Sequence, residues 1–254
     1  MQVGARSEKG RTRAQNQDSY ALAELDSQGL YFLACADGMG GRMAGDIASS
    51  LAVSRLAAHI RGAASTGQLF ASLSGTIMEG FCAANRAVLE QARLVDGRVG
   101  MGTTLTAAVV WGSRVCLGHI GDTRAYLLHD SRLEQVTNDH SLVGELYRKG
   151  DITEGEAMSH PQRNVITSAL GAFEQVSVDI SERDFESEFA VVILSDGVTG
   201  YVASGEIMDI VGNTPSAQQC AEIIVQRALD RGSLDDATCV VLLAQKTPEG
   251  GVAG

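Results

Sequence analysis

Residues 30–41 read LYFLACADGMGG and residues 189–197 read FAVVILSDG, and these two stretches decide the fold. In each of them a continuous apolar run ends at an Asp-Gly pair, which contains Asp37 in the first stretch and Asp196 in the second. A short apolar run that stops at a turn signal is typical of a buried β-strand. The sequence therefore predicts two buried strands, each of which delivers a carboxylate at its carboxyl end.

Further strand patterns lie close together along the chain. Segments 103–111, 114–120 and 124–128 follow one another with only short turns between them, and segment 238–244 is the last strand pattern. Strands joined by such short connections pair in antiparallel fashion, because a parallel pair needs a crossover of a dozen or more residues. The sheets are therefore predicted to be antiparallel.

Apolar residues recur at helical spacing between the strand patterns. The predicted helices cover residues 47–60, 68–94, 139–147, 205–211 and 216–229. Asp139 and Thr214 are the predicted N-caps, because both side chains can accept a backbone N–H at a helix start. Strands in groups and helices in pairs predict an α+β fold in which helices cover antiparallel sheets.

Composition restricts the function classes. The chain has 254 residues, so we expect one domain over residues 1–246, followed by a disordered tail at 247–254. The formal net charge of −11 disfavours binding to nucleic acid or to an anionic membrane. No apolar run could span a bilayer and no signal-peptide pattern is present, which favours the cytoplasm. Five scattered cysteines without a CxxC pair argue against a zinc site or a disulfide framework.

The informative feature is the position of the aspartates relative to the strands. The following residues stand at the ends of strand patterns: Asp18, Asp37, Asp122, Asp196 and the pair Asp235-Asp236. Each of them alone is most simply a turn residue. Together they can converge on one end of the sheets, where unpaired carboxylates would repel each other and raise each other's pKa. Mg²⁺ and Mn²⁺ relieve such repulsion and prefer oxygen ligands.

Arg13 adds a phosphate-binding group to this cluster. It stands five residues before Asp18, and a guanidinium can hold phosphate oxygens in bidentate fashion. On chemistry alone, a surface role and a phosphate-binding role are equally open for this arginine. Two cations beside such a group could activate a water and stabilise the charge of a phosphoryl group.

Eight motifs follow one another along the chain. They are RAQNQD (13–18), DGMGG (37–41), MGTT (101–104), HIGDTR (119–124), TNDHSLV (137–143), HPQRNVITSALG (160–171), LSDGVT (194–199) and DDAT (235–238). Together they resemble the motif series of the bacterial phosphatase 2C-type enzymes, the metal-dependent Ser/Thr protein phosphatases of the PPM family. The resemblance extends from Gly4 to Leu243. It implies two packed antiparallel β-sheets flanked by pairs of α-helices, an α-β-β-α sandwich with a metal cleft at one end.

The resemblance also implies a set of ligands for two core ions, Mg²⁺ or Mn²⁺. Asp37 would bridge the two ions, and the carbonyl oxygen of Gly38 would contact the first. Asp196 and Asp235 would complete the second site. Asp18 would lie nearby and act through a water.

Beyond the core ions, Asp122 would serve a third, weaker ion together with a core ligand. Arg13 would hold the substrate phosphate while a metal-bridging water attacks phosphorus in line, without a covalent enzyme intermediate. Residues 148–163 would form a mobile flap beside the cleft, from which His160 could reach the substrate. The implied function is hydrolysis of phosphoserine and phosphothreonine in proteins by a monomer that opposes a bacterial Ser/Thr kinase.

The sequence departs from the family pattern at two positions. Met39 stands where many eukaryotic relatives have a histidine that is proposed as general acid, so the leaving group must take its proton from another group or from water. The final motif reads Asp235-Asp236 in place of Asp-Asn; the motif match assigns the ligand to Asp235, but either carboxylate could serve. Two other functions stay open, a phosphate-sensing module of the same fold and a Ca²⁺ site, which the lack of a DxDxDG loop disfavours.

Overall fold

The computed structural model describes residues 1–26, 29–40, 44–94 and 100–244. Over these residues the chain forms the β-strands β1 (Gln2–Glu8), β2 (Asp18–Glu24), β3 (Leu30–Met39), β4 (Gly102–Thr103), β5 (Leu105–Trp111), β6 (Arg114–Ile120), β7 (Arg124–His129), β8 (Arg132–Gln135), β9 (Asp179–Asp184), β10 (Phe189–Leu194) and β11 (Ala237–Ala244). The α-helices are α1 (Gly45–Thr66), α2 (Leu73–Leu94), α3 (Leu142–Lys149), α4 (Glu154–Ser159), α5 (Asp196–Thr199), α6 (Ser204–Asn213) and α7 (Ala217–Asp230). The predicted tail at 247–254 lies outside the described residues.

The strands form two antiparallel sheets. One sheet has the strand order β1-β11-β10-β7-β8, and the other has the order β2-β3-β5-β6-β9 with the short β4 paired to β3. Every neighbouring pair runs antiparallel. Strands β3, β10 and β11 lie inside their sheets and are covered on both faces, which explains why their sequences are almost continuously apolar.

Three apolar layers fix the stacking order. Helices α1 and α2 pack on the β3 sheet through residues such as Leu56 and Phe81. Helices α6 and α7 cover the β10 sheet through Ile207 and Ile224. The inner faces of the two sheets meet in a third layer, which contains Leu33. This arrangement confirms the predicted α-β-β-α sandwich.

Some boundaries differ from the prediction. The β1 sequence QVGARSE has no continuous apolar run and was not predicted as a strand, but it pairs along its whole length with β11. The predicted strand at 103–111 is divided into β4 and β5. The predicted helix at 68–94 begins with a 3₁₀ turn at Gln68–Ala71, and α2 starts at Leu73.

Two helix caps were predicted at the wrong residue. Ser141 caps α3, and the carboxylate of Asp139 instead accepts hydrogen bonds from two nitrogens of Arg124, Nε and Nη2. Ser216 caps α7, so Thr214 lies before the helix start. In both cases a serine two residues further along the chain accepts a free backbone N–H group of the first turn. Among the described residues, no helix is both long enough and apolar enough to cross a membrane.

Candidate active site

Asp18 and Asp37 lie directly opposite each other on neighbouring strands. Asp18 begins β2, Asp37 lies near the end of β3, and the antiparallel register makes them Cα partners. Residues opposite each other in such a pair have Cβ atoms about 4.5–5.5 Å apart. The sheet itself therefore brings together the two predicted ligands from the first part of the chain.

The backbone of Asp37 is held by the MGTT motif. Its N–H donates to Thr104 Oγ1 at 2.8 Å. Its carbonyl accepts from Thr103 Oγ1 at 2.8 Å and from the N–H of Thr104 at 2.9 Å. Because both threonines are fully buried, the Asp37 carboxylate projects from a firmly held backbone.

Both Asp-Gly pairs need glycine because the backbone is packed too closely for a side chain. A Cβ at Gly38 would collide with the backbone of Gly45, and a Cβ at Gly197 would collide with the carbonyl of Asp236. Neither glycine has a positive φ, so close approach explains them rather than turn conformation. Gly38, whose carbonyl is the predicted metal contact, donates its N–H to the carbonyl of Gln17 at 3.0 Å.

Asp196 and Asp122 come from the ends of other strands. Asp196 is the first residue of α5, directly after β10, and Asp122 lies in the connection between β6 and β7. In each residue the Oδ1 atom is buried and has no hydrogen-bond partner, and the same is true of Asp18 Oδ1. Buried polar atoms are nearly always paired, so three such oxygens in one cluster of carboxylates indicate a place for a cationic ligand.

Electrostatics shows that these carboxylates are close neighbours. Burial, and then the charges of Asp196 and Asp18, raise the pKa of Asp37 well above its ordinary value. Burial raises the pKa of Asp18 to about 7. Burial and then the charge of Asp235 raise the pKa of Asp196 to about 6. The pKa of Asp122 is raised well above its ordinary value by burial and then by Asp196, so a divalent cation would relieve repulsion throughout the cluster.

The adjacent residues Asp235 and Asp236 have different partners. Asp236 is 2% exposed, and its two oxygens accept the backbone N–H groups of Gly10 and Gln17, each at 2.8 Å. Asp235 is more exposed and forms an ion pair with Arg13. Asp236 is therefore committed to tying the N-terminal loop to the start of β11, whereas Asp235 is accessible to a ligand. The contacts favour Asp235 as the ligand position, as the motif match does.

A cleft of about 350 Å³ opens beside the carboxylates. Its charged lining residues include Arg13, Asp122, Arg124, Arg163, Asp196 and Asp235. Because arginines and carboxylates line the same cleft, it can bind an anion and a cation at the same time. A phosphate ester held by a divalent ion needs that combination.

Arg13 is positioned for this cleft by two contacts. Its guanidinium forms the ion pair with Asp235, and its Nη1 donates to Gln17 Oε1 at 2.9 Å. The side chain is 38% exposed, so part of the guanidinium faces solvent in the cleft. Arg13 therefore presents its guanidinium to the cleft next to the carboxylate of Asp235.

The segment predicted as a flap, 148–163, places Arg163 at the cleft rather than His160. The Nδ1 atom of His160 accepts the N–H of Gln162 at 3.1 Å, and the cleft lining includes Arg163 but not His160. The segment contains α4, which begins with a capping box at Thr153. The mobility of this flap stays a prediction.

The donor chemistry of the cluster fits Mg²⁺ or Mn²⁺. Among the residues that the structure describes, no three His, Cys, Asp or Glu side chains form a ready-made cage for a metal. Mg²⁺ does not require one, because it is commonly held by one or two carboxylates and keeps several waters. The three unpartnered carboxylate oxygens therefore fit a hard, partly hydrated cation.

Sequence reasoning missed the side chains that support the carboxylates. Ser195 and Thr238 stand in the LSDGVT and DDAT motifs, and both donate hydrogen bonds to Asp18. The motifs indicated that these positions matter, but three strands must assemble before either hydroxyl reaches Asp18. Arg163 was missed for the same reason, because its contact with the cleft depends on how its segment folds back.

Comparison with known proteins yields one family. The family model for protein phosphatase 2C matches residues 7–231. The serine/threonine phosphatase stp of Listeria welshimeri is 36% identical over 248 residues, which are 97% of this chain and 96% of that protein. The serine/threonine protein phosphatase PstP of Mycobacterium tuberculosis is 38% identical over 242 residues, which are 95% of this chain. The chain spans only 44% of the length of that relative.

Solved structures agree with this result. The crystal structure of the Mycobacterium tuberculosis phosphatase PstP superposes with a TM-score of 0.82 at 35% identity, covering 96% of this chain and 98% of that one. The catalytic domain of PstP in complex with two manganese ions gives a TM-score of 0.82 at 34% identity, covering 94% and 96%. Likeness of sequence and of fold thus extends over nearly the whole described chain.

Proposed function

The chain belongs to the protein phosphatase 2C family, and from that premise we propose that it is a metal-dependent Ser/Thr protein phosphatase. It hydrolyses phosphoserine and phosphothreonine esters with Mg²⁺ or Mn²⁺ as cofactor. Manganese is the ion named for the solved PstP catalytic domain, and the similarity to that domain covers 94% of this chain.

One observation carries the proposal. Asp18, Asp122 and Asp196 each hold a buried carboxylate oxygen without a partner, in one cluster beside a cleft that Arg13 lines. Such a cluster is costly unless a cation compensates it, because burial disfavours the charged form of each group. A cation beside an arginine-lined cleft supports a phosphate ester as substrate.

The residues that would hold the ions are Asp37, the Gly38 carbonyl, Asp196 and Asp235 at two core positions, Asp18 through a water, and Asp122 at a third, weaker position. When bound, such ions lower the pKa of a water and offset the charge that develops on the phosphoryl group. Asp37 would hold the ions that activate this water from a backbone fixed by three hydrogen bonds, next to the carboxylates of Asp18 and Asp196.

Arg13 binds and orients the phosphate. Its guanidinium is partly exposed in the cleft and contacts the candidate ligand Asp235, so a phosphate at the carboxylate cluster is within its reach. Bidentate binding to two phosphate oxygens would align the ester for in-line attack. Met39, at the position of the histidine of eukaryotic relatives, has no proton to give, so the leaving group is protonated by another group or by water.

Phosphoproteins made by a Ser/Thr kinase are the proposed substrates. The relatives PstP and stp are named serine/threonine phosphatases, which supports this substrate class. We further propose that the protein is a monomer. A cytoplasmic location is proposed because all five cysteines are free thiols, as expected in a reducing compartment.

The test is hydrolysis of p-nitrophenyl phosphate and of a phosphothreonine peptide with Mn²⁺, Mg²⁺ or EDTA. The wild type should turn over both substrates with metal, and EDTA should abolish the reaction. Asp209→Asn is the matched control for substitutions in the cluster, since Asp209 is exposed on α6 and does not line the cleft. Folded wild-type protein that binds the phosphopeptide but hydrolyses neither substrate with any metal would overturn the proposal in favour of a phosphate-sensing module.

A further inference from the structure

We infer that Ser195 and Thr238 are positioning residues for the Asp18 carboxylate, which they hold so that one oxygen is reserved for the divalent-cation site. This inference rests on the proposed function and deepens it. It also gives a role to three residues of the sequence motifs that catalysis itself does not use, Asn16, Ser195 and Thr238.

The two oxygens of Asp18 have opposite environments. Oδ2 accepts two hydrogen bonds, from Ser195 Oγ at 2.8 Å and from Thr238 Oγ1 at 2.6 Å. Oδ1 is buried and has no partner. The carboxylate is therefore held by one oxygen and offers the other, which is the arrangement expected of a group that supports a cation or a water bound to it.

The direction of each hydroxyl bond follows from counting protons. When Asp18 is ionised, the state in which it supports a cation, the one hydroxyl proton of Thr238 goes to Asp18, since an ionised carboxylate can only accept. In the 2.7 Å contact between Thr238 Oγ1 and Ser7 Oγ, the serine must then be the donor. Ser7 Oγ in turn accepts from Asn16 Nδ2 at 2.9 Å. The hydroxyls of Ser7 and Thr238 thus each have a single orientation: Ser7 donates to Thr238, and Thr238 donates to Asp18.

The hydrogen bonds close into a ring. The backbone N–H of Asp18 donates to Asn16 Oδ1 at 3.0 Å, so Asn16 contacts both the backbone of Asp18 and the chain of hydroxyls that reaches its carboxylate. Ser195 is fixed separately, because its Oγ accepts the N–H of Thr238 at 2.9 Å while donating to Asp18. Donors that all point the same way strengthen one another. The ring orients Asp18 in its ionised form, which is the form that a cation requires.

A purely structural role for these hydroxyls makes a different prediction. Ser7, Asp18, Ser195 and Thr238 belong to or border four different strands, so their bonds also join the two sheets. If these hydrogen bonds only connected the two sheets, their loss would lower the stability of the fold but would leave the affinity for a cation unchanged. Metal affinity measured on folded, metal-free protein therefore separates positioning from architecture.

The experiment is calorimetric titration of Mn²⁺ into EDTA-treated, dialysed protein without substrate. Thr238→Val removes the hydroxyl at constant shape and should raise the Kd of the tightest Mn²⁺ site by about 10- to 100-fold. Thr238→Ser restores the hydroxyl and should return the Kd to within about threefold of wild type. Thr137→Val is the matched control, because Thr137 is also a buried threonine, but its hydroxyl accepts from the N–H of Ala125 and is not hydrogen-bonded to a carboxylate.

A double-mutant cycle tests whether Thr238 acts through Asp18. In an Asp18→Asn background, Thr238→Val should cause little further change in the Mn²⁺ Kd, because the group that it positions has lost its charge. Additive losses in the two variants would overturn the inference.

The remaining outcomes distinguish the inference from the proposed function. A Thr238→Val protein that binds Mn²⁺ as wild type does would overturn the positioning role and leave the phosphatase assignment intact. A folded wild type that binds no Mn²⁺ or Mg²⁺ would overturn both. If Thr238→Val does not fold, the same Mn²⁺ titration is done with Ser195→Ala, which removes the other hydrogen-bond donor to Asp18. An unchanged Kd for Mn²⁺ in that variant would count against the inference.

Discussion

The two sheets contribute their carboxylates in different ways. The β3 sheet delivers Asp18 and Asp37 from paired strands, where the β2–β3 ladder fixes the backbone of both residues. The β10 sheet delivers Asp196 from the first residue of a short helix and Asp235 from the loop before β11. Asp18 and Asp37, the strand half of the site, are therefore part of the sheet. Asp196 and Asp235, the loop half, lie outside it and need separate support.

Asp236 gives that support to the loop half. Its carboxylate accepts the N–H groups of Gly10 and Gln17 and so binds the N-terminal loop to the start of β11. The same loop carries Arg13, whose ion pair with Asp235 partly compensates the charge of this half. The charge of the site and the position of its ligands therefore depend on different residues. Substitutions in the strand half should change the charge of the site, and substitutions at Asp236 should change its geometry.

Asp37→Asn should have the largest effect on activity. It removes a metal-binding charge from a fixed backbone, so kcat/KM for p-nitrophenyl phosphate with Mn²⁺ should fall by about 10³-fold or more, which corresponds to several kcal/mol. At the same time the metal-free variant should unfold at a higher temperature than metal-free wild type, because repulsion with Asp196 and Asp18 is relieved. The value of kcat/KM is measured with added Mn²⁺ and the unfolding temperature on EDTA-treated protein, each with Asp209→Asn as control. Near-wild-type turnover would contradict the assignment of Asp37.

Asp236→Ala should separate support from ligation when it is compared with Asp235→Ala. Removal of Asp236 leaves two buried N–H groups without acceptors, so the free energy of unfolding should fall by about 3 kcal/mol. Asp235→Ala should change stability much less, because the side chain is partly exposed, but should weaken Mn²⁺ binding about tenfold or more. Urea unfolding and Mn²⁺ titration give the two readouts. The reverse result, with greater loss of metal affinity in a stable Asp236→Ala protein, would make Asp236 the ligand.

The pH dependence of the metal-free protein should reveal the shared charge of the cluster. Burial raises the pKa of Asp18 from 3.8 to about 7 and that of Asp196 to about 6. Between about pH 4 and 7 the folded chain therefore binds more protons than the unfolded chain, and the free energy of unfolding falls as the pH rises, by several kcal/mol, before levelling above pH 7. Saturating Mn²⁺ should restore the lost stability at pH 7.5. Stability of metal-free protein that rises from pH 5 to 7 would contradict the raised pKa values.

The strand half of the site is also the half that the sequence predicts best. A continuous apolar run followed by Asp-Gly indicated Asp37 in this half together with strand β3, because burial on both faces leaves a pattern in the sequence itself. In the loop half the same pattern indicated Asp196 and strand β10, but it gave no information on Asp235. The polar strand β1 left no such pattern, since its pairing with β11 depends on a partner more than 220 residues away. Separations of 177 and 220 residues likewise hid the hydroxyls of Ser195 and Thr238, whose contact with Asp18 exists only after the sheets pack.

The loop half was predicted less completely because neighbouring residues in a loop can point in opposite directions. The motif match placed the ligand at Asp235, but only the contacts of Asp236 with Gly10 and Gln17 give a physical reason for that choice. The motif resemblance predicts His160 near the substrate, whereas in the structure its Nδ1 accepts the N–H of Gln162 and Arg163 lines the cleft. An irregular segment has no regular spacing of apolar residues, so its sequence does not specify which side chain faces a neighbour.

Arg13→Ala should have the smallest of the effects, and it tests whether the loop half binds substrate as well as metal. Loss of the guanidinium should raise KM for a phosphate monoester about tenfold, since a charged, bidentate contact is lost. Arg13→Lys should recover only part of this, because an ammonium keeps the charge but not the fork. The Kd for Mn²⁺ should stay the same or decrease in Arg13→Ala, since Asp235 loses the cation that competes for it. An unchanged KM together with a weaker Mn²⁺ site would show that Arg13 serves only to hold Asp235.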